Sequence, residues 1–114
     1  MTEAARAADR SELFLNWRQT WPETEADYFA LADGYEEAVG RIFKGTGGLL
    51  KGIWFWSMTA NGPEISRSLP ALCGTALSAR EAAQQVEGAW YEAIRGSSLD
   101  PAPRSNAYAT AKRR

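Results

Sequence analysis

A chain of 114 residues, 45% of them apolar and with a formal net charge of -1, is long enough for one small domain. It has no histidine and a single cysteine, Cys73, which removes the commonest general base and metal ligand and leaves no disulfide framework. There is no run of about 18 apolar residues to cross a membrane, and Met1 to Arg10 lacks the apolar middle of a signal peptide. The expected compartment is the cytoplasm, with no membrane partner.

Charge is distributed by region. Residues 23–96 carry ten acids against six bases, residues 97–114 one acid against four bases, and residues 1–22 three of each. An acidic body with a basic tail argues against a nucleic-acid binder that relies on many phosphate contacts.

Three segments are expected in chain order: an N-terminal, partly helical stretch over 1–22, a β-β-β-α domain over 23–96, and a disordered basic tail over 97–114. In the first, Leu13, Phe14, Trp17 and Trp21 recur at spacings near three and four, which predicts a short helix ending before Pro22. That segment either caps a core or binds a partner through Trp17 and Trp21. Tyr28 to Ala32 reads as a first strand. Asp33-Gly34 is a turn signal, and Val39 to Lys44 follows as a second strand with Glu36 and Glu37 in its solvated entry. The carboxylates around that turn match no calcium loop and are read as solvated, so no metal or cofactor is expected.

Gly45 to Gly48 is a flexible hairpin loop, because it lacks the spacing of a phosphate-binding loop and leads into a strand. Ile53 to Met58, with Trp54, Phe55 and Trp56, is the expected central strand. Pro63 and Pro70 punctuate residues 64–73, which leaves room there for a fourth, irregular edge strand; Cys73 is read as a small buried residue. Ser78-Ala79-Arg80-Glu81 is a capping box. Behind it Ala79, Ala82, Ala83, Val86, Ala89, Trp90, Ala93 and Ile94 form one apolar face of a helix running to about Arg95, ended by Gly96. The fold class is therefore α+β, a three-stranded antiparallel sheet with one amphipathic helix on one face.

Side chains alternate across a strand, and both sides of these strands are apolar. Trp54, Trp56 and Met58 oppose Ile53 and Phe55, and Val39, Arg41 and Phe43 oppose Ile42. One helix hides one face. The other, a patch of several hundred Å², is a surface that soluble monomers seldom leave unused. Trp54, Trp56, Met58, Arg41 and Phe43 are thus the candidate interaction residues, together with Trp17 and Trp21. Arg41 is expected to stack on a tryptophan, and the expected partner is a second copy of the chain or another protein.

Asp27-Tyr28, Val39 to Phe43, Trp54-Phe55-Trp56-Ser57, Ser78, Glu81-Ala82 and Trp90 together resemble short alphaproteobacterial proteins of unassigned activity, over roughly residues 17–95. The strand order is also similar to the three-strand-plus-helix modules of plant transcription factors and of phage integrase arm-binding domains. That likeness implies DNA reading through the sheet; the candidate contacts for it are Arg41, Lys44, Lys51 and Arg67, with the basic tail. Since no nucleophile and base pair stands out, the leading expectation is a non-enzymatic interaction or regulatory module, with a small sheet-based DNA binder as the alternative.

Overall fold

A computed structural model describes residues 13–100. Five strands, β1 (Asn16–Gln19), β2 (Asp27–Ala32), β3 (Tyr35–Lys44), β4 (Trp54–Met58) and β5 (Cys73–Ala76), are followed by one helix, α1 (Ala79–Ala93). Each strand pairs antiparallel with its neighbour in sequence, giving the order β1-β2-β3-β4-β5.

The inner strands and the helix lie near the stretches that alternation and periodicity marked, with two corrections: β3 begins at Tyr35, so Glu36 and Glu37 belong to the strand, and the central strand is β3, with the Trp54–Met58 strand fourth of five. Ala32 pairs with Tyr35 across the Asp33-Gly34 turn, and Gly34 supplies a φ of 84° that other residues seldom adopt. The register shifts between Ala30 and Ala32, and Val39 and Gly40, though adjacent, are both buried. At the helix start the Ser78 hydroxyl accepts from the Glu81 amide at 3.1 Å. Glu81 in turn accepts from the amide of Leu77, one residue before the cap, at 3.4 Å.

Several expectations are corrected. The sheet has five strands, not three or four, and the stretch predicted as a helix over Leu13 to Trp21 holds strand β1 instead. Asn16, Trp17, Arg18 and Gln19 pair with Leu31, Ala30, Phe29 and Tyr28, and this long-range ladder outweighs the local spacing of the aromatics. Leu13, Leu15 and Trp17, two apart, all pack on the core, as an extended chain requires. The fourth-strand region is also displaced, since residues 64–72 are irregular and the strand is Cys73–Ala76. Cys73 is exposed, not buried. The part of the N-terminal segment before Leu13 and the basic residues Arg104, Lys112, Arg113 and Arg114 lie outside the described residues. Residues 97–100, assigned above to the tail, are docked: Ser98 donates through N and Oγ to the Glu64 carboxylate at 2.9 and 2.7 Å.

Helix α1 lies over β3, β4 and β5. Its alanine-rich first half approaches closely, with Ala82, Ala83 and Val86 against Ile42 and Trp56. The bulkier second half, Trp90, Tyr91, Ala93 and Ile94, packs with Leu15, Ala30, Val39, Met58, Ala60 and Ile65. Gly40 sets the approach distance, because a Cβ there stands 2.4 Å from Val86 Cγ1. Gly88 and its neighbour Glu87 are also buried, although neither is among the apolar positions of the helical period.

Candidate interaction surface

Strand register divides the side chains between two faces. Toward the helix point Trp17, Tyr28, Ala30, Ile42, Trp54, Trp56 and Met58, with the glycines Gly40 and Gly74 among them. The opposite face consists of two cross-strand rows. One runs Arg18, Phe29, Arg41, Ser57, Cys73, and the other Asp27, Phe43, Phe55, Thr75. Helix α1 packs on the other face and leaves these rows uncovered.

The five sheet residues singled out from sequence are therefore split. Trp56 and Met58 are buried in the core and Trp54 is half-buried beside Tyr28, at 6.4 Å between ring centroids. Arg41 and Phe43 belong to the open face, where Phe43 keeps 37% of its surface exposed. The stacking partner of Arg41 is Phe43, with the guanidinium carbon 5.0 Å from the ring centroid, and not a tryptophan. Phe43 lies on Phe55 at 5.3 Å with the rings 17° apart. A cation, two stacked rings and a third ring, Phe29, thus line the centre of the open sheet.

Arg41 is held in place by Asp27. Its Nε donates to Oδ1 at 2.9 Å and its Nη2 donates to Oδ2, a bidentate pair. The Thr20 hydroxyl also donates to Oδ1, at 2.8 Å. The Arg41 hydrogen bond, supported by those from Thr20 and Trp21, holds the Asp27 carboxyl below its usual range despite its burial. Trp21 therefore stands at the rim of the open face, largely exposed.

Trp17 serves the core. Its indole Nε1 donates to Glu87 Oε2 at 2.9 Å; the Leu15 amide donates to the same oxygen at 2.9 Å and the Phe14 amide to Oε1 at 2.8 Å. Glu87 is fully buried on α1, and burial pushes its carboxyl above the usual value, against the pull of the three donors. In the sequence Glu87 is one of the ten acids of residues 23–96 and reads as solvated. The signal was positional: it stands four residues after Ala83 and three before Trp90, on the flank of the apolar face.

Of the residues considered for nucleic acid, Arg41 is paired with Asp27. Arg67 donates through Nη1 to the carbonyls of Met58 and Ala60 at 3.2 and 2.7 Å, capping the end of β4. Lys44 and Lys51 are exposed at the β3–β4 loop. Among the described residues no three His, Cys, Asp or Glu side chains gather as metal ligands, and no helix is long and apolar enough to cross a membrane. Comparison with known proteins returns no matching family model, curated protein or solved structure.

Proposed function

We propose that the chain is a non-enzymatic protein-interaction module whose binding surface is the open sheet face. The observation that supports this reading is the Arg41–Phe43–Phe55 stack, preorganised by Asp27 and left uncovered by α1. An apolar centre with an anchored arginine is the composition favoured at the core of protein interfaces. Holding Arg41 in a bidentate pair lowers the entropy lost when a partner fixes it.

The experiment is affinity capture from host extract with the full chain and with Phe43→Glu. Phe43 is exposed, so the variant is expected to keep its helix signal and its melting temperature while losing the captured partner. Equal capture by both proteins refutes the reading. The DNA alternative is tested on the same material: retention on a DNA column at low salt that disappears in Lys44→Glu/Lys51→Glu favours it over protein binding. No retention is expected, because two of its four cations are already engaged within the domain.

A further inference from the structure

In a five-stranded meander the β1–β2 loop, the β3–β4 loop and the β5–α1 turn all emerge at one end of the sheet, and the β2–β3 turn and the end of α1 at the other. Among the described residues the five exposed large apolar side chains all belong to the first end. Leu49 is fully exposed and Leu50 53% exposed on the β3–β4 loop, Trp21 is 52% exposed on the β1–β2 loop, Leu77 is 78% exposed before α1, and Phe43 is the penultimate residue of β3. The two loops differ in charge. Glu23 and Glu25 sit on the β1–β2 loop, Lys44 and Lys51 at the β3–β4 loop; all four are exposed, and none makes an ion pair among the described residues.

That pattern is self-complementary. We infer that two copies of this chain join end to end at these loops, about a two-fold axis normal to the sheet that sets the β1–β2 loop of each copy against the β3–β4 loop of the other. Neighbouring loops of a meander are two strand spacings apart, about 10 Å, so an axis midway between them superposes one loop position on the other. Glu23 and Glu25 of each copy then face Lys44 and Lys51 of the other, and Trp21 faces Leu49 and Leu50. The same residues meet twice, as an isologous contact demands. An in-plane axis opposes acid to acid and is disfavoured by that charge arrangement. The inference rests on the reading above in that this domain works by binding protein; it places self-association at the loop end and leaves the sheet face for a different partner.

Sedimentation equilibrium of the full chain tests it. A contact confined to two loops per copy is at the small end of specific interfaces, so mass is read up to about 1 mM. The wild type is expected to be a dimer there. Lys44→Glu/Lys51→Glu alone and Glu23→Lys/Glu25→Lys alone are each expected to weaken the dimer at least about tenfold. The chain carrying all four changes, or an equimolar mixture of the two double variants, is expected to recover it. A monomeric wild type at the highest concentration overturns the inference, as does a dimer insensitive to either reversal. A dimer lost in Phe43→Glu but unmoved by the charge reversals also overturns it, while leaving the sheet-face reading standing. Conversely, intact charge-dependent dimers with capture unaffected by Phe43→Glu sink that reading and keep this one.

Discussion

Gly40→Ala is expected to destabilise the domain by about 3 kcal/mol, at the upper end of the usual range for overpacking a core. The added Cβ stands 2.4 Å from Val86 Cγ1 and 2.6 Å from the Ser57 carbonyl oxygen. The first obstacle is a β-branched side chain with few alternative rotamers on a helix, and the second is backbone in the neighbouring strand. Relief requires α1 to lift off the sheet, which opens the packing of Ala82 and Ala83 on Ile42 and Trp56. Adding Val86→Ala removes one obstacle and leaves the other, so the double variant is expected to regain only part of the loss. Urea melts followed by the helix signal measure both. A Gly40→Ala midpoint within error of wild type refutes the idea that this glycine sets the helix-to-sheet distance.

Glu87→Leu is expected to cost at least about 3 kcal/mol, because it leaves three donors without an acceptor at roughly 1 kcal/mol or more each. Its signature is local as well as global. The amides of Phe14 and Leu15 donate to Glu87 and are expected to lose hydrogen-exchange protection before the β3–β4 amides do. Glu87→Gln keeps one acceptor oxygen and the side-chain shape, and is expected to lose less. Unchanged protection at Phe14 and Leu15 in Glu87→Leu refutes the anchoring role.

The same residue gives the stability a pH dependence of definite sign. Burial raises the folded-state pKa of Glu87 above the unfolded value of about 4.3, so between those two values the native chain binds the proton more tightly. Unfolding free energy therefore rises as pH falls through the raised pKa, and the increment is complete below about 4.3. Asp27 has the opposite sign: its pKa is lowered by Arg41, so its contribution is present above about 3.9 and is lost as pH falls through its folded value. Urea melts of wild type and Glu87→Gln across this range separate the two. A difference between them that does not narrow or widen with pH removes Glu87 from the titration.

Much of the architecture was legible because local and global demands coincide in the inner strands and in α1. The three-and-four period from Ala79 to Ile94 describes an element with one buried side, and the apolar run Trp54–Met58 marks an inner strand without saying which of its sides is buried. The edges were less legible. β5 holds Cys73, Gly74, Thr75 and Ala76, with no large apolar residue to mark a strand. Its Gly74 answers a need expressed elsewhere, since a Cβ there stands 2.9 Å from Trp56 Nε1. The helix expected at β1 rested on a spacing of four, and Leu13, Trp17 and Trp21 satisfy a helical spacing as well as an extended one, so that only pairing with β2 decides between them. The division of the interaction residues was half legible. Alternation separates Trp54 from Phe55, but nothing local says which side receives the helix. That is decided by glycines at Gly40 and Gly74 clearing room for Val86 and Trp56. Glu87 was illegible for a related reason: an acid is read as solvated unless its donors are known, and two of them are backbone amides more than seventy residues away.

That separation bears on the order in which the molecule is made. Every other strand of the sheet finds its partner among residues just synthesised, so hairpins close as the chain emerges. The β1 strand pairs with β2 early, yet the hydrogen bonds at Phe14, Leu15 and Trp17 wait for Glu87 to leave the ribosome some seventy residues later. During that interval the nascent sheet shows its tryptophan side to solvent as well as its phenylalanine side, since α1 does not yet exist. Among the described strands β1 thus pairs early and is tied to the helix layer late.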